Sequence, residues 1–178
     1  MVKFLLYICL LTISIFVVSG LRSDIVVKLL DDIPSDLNYE PFKRVGEKLL
    51  YFSDETANWF KANNICRSIK GFLVSIDNEN AWDTIKEYLT NEITDKRRWW
   101  ISANDLDSEG NFVWANTGTP MEYNAFAKSQ PDDYGTNEDC VHLRFKEAKY
   151  EMNDMDCRRE NHFICERETP LTILINAL

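Results

Sequence analysis

Four cysteines constrain this chain more than any other feature, because any fold that it adopts must satisfy their pairing. The chain has five cysteines, and the first of them, Cys9, lies in an apolar leader. The other four are Cys66, Cys140, Cys157 and Cys165. An even number of cysteines in an exported chain predicts structural disulfides, and four cysteines can pair in three ways. Zinc sites favour closely spaced ligand pairs, which these spacings do not provide.

The leader itself predicts export. Lys3 gives a cationic start, residues 4–18 form an almost unbroken apolar run, and Ser19-Gly20 offers small residues for cleavage. This pattern is typical of a cleaved signal peptide over residues 1–20, and it predicts a secreted, extracellular protein. An uncleaved membrane anchor is the alternative, but the apolar run is short for a bilayer span.

Length and charge limit the remaining possibilities. The chain has 178 residues, of which 45% are hydrophobic, and this suits one globular domain with extensions. Its formal net charge is −9, and removal of Lys3 with the leader makes it more negative still. A strongly acidic protein repels nucleic acid and anionic lipid, so neither partner is predicted.

Two helices are predicted from apolar residues that recur three or four positions apart. The first stripe is Trp59, Ala62, Cys66 and Ile69, and the second is Trp82, Ile85 and Leu89. Ser53-Asp54 and Asp77-Asn78 are predicted to cap the two helices. Gly71 is predicted to end the first helix.

Short apolar runs predict the strands, which lie at residues 49–52, 72–76, 112–114, 141–143 and 162–165. Helices that come first and strands that come later favour an α+β fold. Residues 115–139 show no periodicity and are rich in turn-forming residue types. A loop of this length in a compact domain is usually functional or disordered.

The organisation that follows has four parts. After the signal peptide, residues 21–41 are predicted to form a flexible N-terminal arm, with turn signals at Pro34 and Asn38. The globular domain is expected over residues 42–167, and residues 168–178 form a short C-terminal tail.

The most unusual composition lies at the end of the long loop. Residues 130–140 read QPDDYGTNEDC, with four carboxylates in eleven positions. Acids this close repel one another unless a cation or water separates them. A solvated surface turn is the simple interpretation, and a metal site is the alternative.

Several motifs in order resemble the C-type lectin domain family. They are W-x-x-A-x-x-x-C at 59–66, LVSI at 73–76, WI at 100–101, F-x-W at 112–114, G-x-P at 118–120, QPD at 130–132, EDC at 138–140, ND-x-x-C at 153–157 and FICE at 163–166. The likeness covers residues 42–167 and is nearest to the small secreted lectins of insects. It implies two helices, two small antiparallel sheets and a long calcium-binding loop. It also implies the disulfides Cys66–Cys165 and Cys140–Cys157.

The resemblance places a main calcium site on two stretches of the chain. Its ligands by position are Gln130, Asp132, Glu138, Asn153 and Asp154, the last with its backbone carbonyl as well. Calcium prefers six to eight oxygen ligands and tolerates irregular geometry. A cis peptide before Pro131 would turn the neighbouring side chains toward one point. The coordination shell would stay open to two sugar hydroxyls.

An auxiliary calcium site and a stacking residue complete the implied site. The auxiliary ligands are Asp105, Glu109, Asp133 and Asp139, with Glu138 shared between the two sites. The residues that would contact sugar are the five main ligands together with Tyr134, whose ring can pack on the apolar face of galactose.

The order of the Gln-Pro-Asp motif bears on selectivity. In the family, this order accompanies galactose-type sugars, and Glu-Pro-Asn accompanies mannose-type sugars. Three features depart from the usual pattern: Met152 and Phe126 stand where tryptophan is common, and Tyr134 is not followed by a glycine-rich insert. The preference for galactose is therefore expected to be loose, and the core beneath the site soft.

Three functions compete at this point. The favoured one is a secreted calcium-dependent lectin that binds galactose-type glycans on glycoproteins or cell surfaces, with a homo-oligomer for avidity. The alternative is a protein–protein interaction module that uses the fold without sugar. A glycosidase with Glu138 and a second acid is disfavoured, because calcium-bound carboxylates donate protons poorly. Both an immune setting and a reproductive setting fit, and His142 and His162 are interpreted as structural.

Overall fold

The computed structural model describes residues 25–28, 39–168 and 172–175. The chain divides into two compact units, one of Met1–Asn38 with Thr169–Leu178 and the other of Tyr39–Glu168. The predicted signal peptide lies outside the described residues. Within the part of the chain that is described, no helix has the length and apolar character to cross a membrane.

In the first unit, the described residues form two strands. Strand β1 (Ile25–Lys28) pairs antiparallel with β10 (Thr172–Ile175), so that Ile25 lies opposite Ile175. Neither strand is predicted from the sequence. Both lie in segments that the sequence analysis assigns to the arm and the tail.

The second unit contains the two predicted helices and eight strands. In chain order they are β2 (Lys43–Val45), β3 (Lys48–Phe52), α1 (Trp59–Ser68), β4 (Phe72–Leu73), α2 (Glu79–Asn91), β5 (Trp99–Asn104), β6 (Val113–Trp114), β7 (Cys140–Lys146), β8 (Lys149–Met155) and β9 (His162–Arg167). This confirms the α+β class. The strand predicted over 72–76 is shorter in the structure, although Val74, Ser75 and Ile76 are buried.

The strands of this unit form one continuous sheet. Their order is β2-β3-β9-β5-β7-β8, with β4 paired to β9 and β6 paired to β5. The resemblance to the lectin family implies two small antiparallel sheets. The two antiparallel sets are instead joined where β5 and β9 run parallel, with Trp99 opposite His162 and Trp100 opposite Phe163. The sheet is therefore mixed.

The sheet separates two hydrophobic clusters, because alternate residues of a strand point to opposite faces. Trp99 packs in the cluster of helix α2, with Trp82, Ile85 and Leu89. Trp100 packs in the cluster of helix α1, with Trp59, Ala62, Cys66 and Phe163. The apolar stripes predicted for both helices are thus confirmed as core faces, apart from Ile69, which is only partly buried.

Both disulfides have the pairing that the resemblance implies. Cys66–Cys165 joins α1 to β9 across a sequence separation of 99 residues. Cys140–Cys157 joins the start of β7 to the segment after β8, across 17 residues. On the chain-entropy model, the first disulfide stabilises the folded protein by about 4–5 kcal/mol and the second by about 3 kcal/mol, because each restricts the unfolded chain.

The caps of the helices are confirmed only in part. The α2 cap is Asn78, whose side chain accepts a hydrogen bond from Ala81 N. The prediction of Ser53-Asp54 as the α1 cap is wrong, because Asn58 caps that helix and accepts from Lys61 N. Ser53 is fully buried instead, and its hydroxyl accepts from Phe163 N at 2.8 Å.

The C-terminal end of α1 depends on two neighbouring residues. Lys70 takes the left-handed conformation, with φ 65°, that was expected of a terminal glycine. Gly71 follows, and its N–H donates to Cys66 O at 2.8 Å. A Cβ atom at Gly71 would lie 2.6 Å from the backbone oxygen of Glu166, so glycine is needed here for close approach to β9.

This arrangement predicts opposite effects for adjacent substitutions. Gly71→Ala should destabilise the domain by about 1–3 kcal/mol, since the clash is with backbone. Lys70→Gly should be neutral or stabilise it by up to about 1 kcal/mol, since the exposed lysine holds a left-handed conformation. Chemical denaturation of both variants measures the two changes, and equal destabilisation by both would contradict the interpretation.

Candidate functional site

The β7–β8 hairpin brings the polar residues of two distant stretches together. In its antiparallel ladder, Val141 lies opposite Asp154 and His142 lies opposite Asn153. The connecting turn places Glu147 and Ala148 in the left-handed conformation, with φ 52° and 62°. Such two-residue turns suit the twist of a hairpin. Asn153 and Asp154 therefore lie on β8 beside the strand that follows the acidic loop.

The pairing of β5 with β7 brings a second group of acids together. Asn104, the last residue of β5, lies opposite Cys140, the first residue of β7. Asp105 follows the one strand and Asp139 precedes the other. The Asp105 N–H donates to Asp139 O at 3.1 Å, which holds the two acidic residues side by side.

The acidic loop folds around the Asp154 carboxylate. Oδ2 of Asp154 accepts from the backbone N–H groups of Asp132 at 3.0 Å and Asp133 at 2.8 Å. Asp133 Oδ1 accepts in turn from Glu138 N at 3.1 Å. The Gln130–Pro131 peptide bond at the start of this loop segment is cis.

The main cluster unites three of the predicted carboxylates. Asp132, Glu138 and Asp154 each place one carboxylate oxygen within 4.8 Å of the others. Asp154 is fully buried, whereas Asp132 is exposed. The cluster therefore has a buried floor and an open rim at the protein surface.

The second cluster contains three of the predicted auxiliary ligands. Oxygens of Asp105, Glu109 and Asp139 lie within 4.8 Å of one another. Asp133 and Glu138, the other two predicted members, are not part of this group. The Glu138 carboxylate lies in the main cluster, and Asp133 Oδ1 accepts from the loop backbone.

Buried oxygens without hydrogen-bond donors test whether these residues fit a cation. In the described part of the chain, four such side-chain oxygens belong to predicted calcium ligands: Oδ1 of Asp105, Oε1 of Gln130, Oδ1 of Asn153 and Oδ1 of Asp154. A buried acceptor without a partner is costly. Two carboxylate and two amide oxygens are suitable ligands for Ca²⁺. The residues present therefore fit calcium.

The charges of the two clusters disfavour their ionised forms in the absence of a cation. Burial raises the pKa of Asp154 and, with the nearby Asp139 charge, that of Asp105. Burial also raises the pKa of Glu138, and the Asp154 carboxylate adds to this shift. A divalent cation would remove this cost by compensating the negative charges.

The exposed rim of the main cluster carries an aromatic ring. Tyr134 is 79% exposed, and its backbone N–H donates to Glu138 Oε2 at 3.2 Å. The ring is thus held beside the cluster by its backbone while its side chain faces solvent. It offers an apolar surface to a ligand that reaches the rim.

Strand β8 is the functional element that the sequence analysis missed. Its polar residues Glu151, Asn153 and Asp154 are all buried, so the usual alternation of apolar and polar residues is absent. Its turn carries Glu147-Ala148 rather than glycine or asparagine, so the usual hairpin signal is also absent. The resemblance to the lectin family supplied Asn153 and Asp154 without that strand.

The core below the site accommodates the departures at Met152 and Phe126. Met152 is fully buried in β8, and its Sδ accepts from Ala125 N at 3.3 Å. The ring of Phe126 packs on Phe112 with centroids 5.4 Å apart. The segment of Ala125–Ala127 is held along β8, where Ala127 N donates to Met152 O at 3.0 Å.

Comparison with known proteins identifies the family. The Lectin C-type domain family matches residues 55–167, which is more than half of the chain. The chain therefore belongs to the C-type lectin domain family, whose members are carbohydrate-binding proteins rather than enzymes, and the prediction that it is not an enzyme is confirmed.

Individual relatives agree with this assignment. C-type lectin 37Db of Drosophila melanogaster is 30% identical over 122 residues, which cover 68% of this chain and 79% of that protein. Salivary C-type lectin 1 of Aedes albopictus is 33% identical over 122 residues, which cover 65% and 80%. The cow CD23 carbohydrate-recognition domain, solved in the presence of a GlcNAc2Man3 oligosaccharide, is 30% identical with a TM-score of 0.63, and the match covers 74% of this chain and 95% of that one.

Because the Asp154 carboxylate is buried, the stability difference between Asp154→Asn and the parent protein should reverse its sign when calcium binds. In EDTA at neutral pH, Asp154→Asn should be more stable than the parent, because it removes a carboxylate whose pKa burial raises. The difference should shrink as the pH falls through that raised value and the parent carboxyl becomes neutral. In calcium at 100 times its Kd, the parent should gain about 2.7 kcal/mol and become the more stable protein.

Thermal melts in both buffers measure this reversal. Asp156→Asn is the matched control, since Arg158 lowers the pKa of Asp156 to about 2 and the variant should lose stability with or without calcium. A variant at Asp154 that is less stable than the parent in EDTA would refute the role of its charge.

Proposed function

We propose that the protein is a secreted, calcium-dependent carbohydrate-binding lectin that prefers galactose-type sugars. The observation that carries the proposal is the group of buried acceptor oxygens at Gln130, Asn153 and Asp154, which have no donor. Asp154 shares a carboxylate cluster with Asp132 and Glu138, and Gln130 and Asn153 stand close to Asp132 and Asp154 in the sequence. Membership of the C-type lectin domain family supports carbohydrate binding by such a cluster.

The charge of the main cluster favours a site that retains calcium and still attracts polar ligands. Three carboxylates and two amides around a divalent ion would leave one excess negative charge. When bound, calcium would offer open coordination positions to two neighbouring hydroxyls of a sugar. The protein groups at the rim then decide which hydroxyls fit.

The side chains at the rim divide into donors and acceptors. The amide of Gln130 can donate a hydrogen bond, while the carboxylates of Asp132 and Glu138 can only accept. A sugar whose hydroxyls match this order binds in one orientation. The Gln-Pro-Asp order supports galactose-type sugars, and the exposed ring of Tyr134 offers an apolar surface for the sugar face.

A protein–protein interaction module is the alternative function. Relatives that use this fold without sugar usually lose the calcium ligands, whereas this chain retains all five at the main site. The structure also brings three of them within ligand distance of one another. The retained ligands therefore favour the lectin.

Secretion and multivalency complete the proposal. The N-terminal leader and the two disulfides are typical of an extracellular protein. A single shallow site binds a monosaccharide weakly, so useful avidity requires several sites. We propose homo-oligomers that bind galactose-type glycans on glycoproteins or cell surfaces, in an immune or a reproductive setting. Calcium is the cofactor of this activity.

Substitution of one rim ligand tests the proposal. Asp132→Ala should lose calcium-dependent retention on a galactose resin by at least about 10-fold, since it removes a carboxylate shared by calcium and sugar. Asp77→Ala is the matched control, because it removes another exposed aspartate outside both clusters. Retention of the parent that persists in EDTA would contradict calcium dependence, and full retention of Asp132→Ala would contradict its role as a ligand.

Exchange of the acid and the amide tests selectivity separately. The double variant Gln130→Glu/Asp132→Asn keeps the net charge and the number of oxygens but exchanges donors and acceptors around the sugar. It should still bind calcium, while the ratio of galactose to mannose needed for half-elution shifts at least about 10-fold toward mannose. An unchanged ratio with intact calcium binding would show that this motif does not set the preference.

A further inference from the structure

His142 is a buried polar residue that the proposed binding mechanism does not yet use. It is fully buried in β7, and the ring of Trp100 packs edge-on against its imidazole with centroids 5.8 Å apart. In the ladder it lies directly opposite Asn153. Its side chain therefore lies under a predicted calcium ligand, on the same face of the sheet.

The two ring nitrogens of His142 have different neighbours. Nδ1 lies 3.3 Å from Leu143 O, which can only accept a hydrogen bond. Nδ1 must therefore carry the proton. Nε2 lies 3.3 Å from Nδ2 of Asn153 and accepts from it.

The hydrogen bond to His142 determines which end of the Asn153 amide is left without a partner in the protein. Nδ2 of Asn153 donates to the imidazole and to Asp154 O. The amide oxygen Oδ1 is left buried without a donor, as are Oε1 of Gln130 and Oδ1 of Asp154. If Nε2 carried the proton instead, Asn153 would turn its oxygen to the ring and present N–H groups to the cation.

We propose that His142 is a positioning residue for calcium: its Nδ1–H tautomer accepts from Asn153 and directs the Asn153 oxygen into the main cluster. The inference rests on the proposed calcium site. Residues behind metal ligands that fix their orientation typically contribute 10–100-fold to metal affinity. His142 would orient Asn153 from its buried position in β7, without contacting the sugar.

The tautomer can be measured without calcium. The chain has two histidines, so long-range ¹H–¹⁵N spectra of the full secreted protein in EDTA contain two imidazoles, and His142→Gln assigns them. We expect an unprotonated Nε2 and a protonated Nδ1 for His142. A protonated Nε2 would overturn the inference whether or not calcium binds.

Calcium titration by calorimetry then tests the effect on affinity. His142→Leu, which cannot accept a hydrogen bond, should bind Ca²⁺ about 10–100-fold more weakly. His142→Gln keeps an acceptor and should retain affinity closer to the parent. Leu143→Val, a buried neighbour on the opposite face of β7, is the control and should leave affinity unchanged.

The outcomes separate positioning from general loss of packing. Unchanged affinity in His142→Leu, or an equal loss in Leu143→Val, would overturn the proposal. If His142→Leu does not fold, an affinity of His142→Gln that is reduced 100-fold would overturn it as well. A parent that binds no calcium would refute the proposed function, while the tautomer measured in EDTA would still decide whether His142 orients Asn153.

Discussion

The long loop of this domain depends on buried side-chain oxygens around Asp154 that do not all have hydrogen-bond donors. Asp154 is buried in β8 and receives two hydrogen bonds, both from backbone N–H groups of the loop. The loop is therefore folded around a carboxylate rather than around an apolar core. Oδ1 of Asp154 and the amide oxygens of Gln130 and Asn153 have no donor in the described part of the chain, so the stability of the loop and its affinity for a cation depend on the same group of residues.

The sheet makes this convergence possible because it aligns the ends of three neighbouring strands. β5 ends just before Asp105, β7 begins just after Asp139, and Asp154 lies near the end of β8. The Cys140–Cys157 bridge fastens the beginning of β7 to the segment that follows β8. Both acidic clusters thus lie at the neighbouring ends of β5, β7 and β8, which this disulfide holds together. The hydrophobic clusters of the two helices pack against the faces of the sheet.

The parts of the fold that follow from periodicity could be predicted, and the parts that follow from close contact could not. The helical stripes around Trp59 and Trp82 identified both core faces. The cap at Asn58 and the close approach at Gly71 depend on where β9 lies, which local sequence does not contain. Strand β8 was missed because its buried polar residues serve the cluster rather than the core. The predicted calcium ligands were assigned from the resemblance to the lectin family. Their number and residue types could be predicted from the sequence, but the distances between them could not.

The division of labour within the loop also bears on how such proteins diversify. Backbone N–H groups and the Asp133 carboxylate hold the frame of the loop, whereas the side chain of Tyr134 is 79% exposed and takes no part in that frame. Substitutions of the Tyr134 side chain can therefore accumulate without loss of these loop contacts, whereas Gly135 and Thr136 adopt the left-handed conformation and Asn137 donates to Asp156. Under selection by changing hosts or competitors, new ligand preferences would arise first at Tyr134, and a library that varies this one position would sample them.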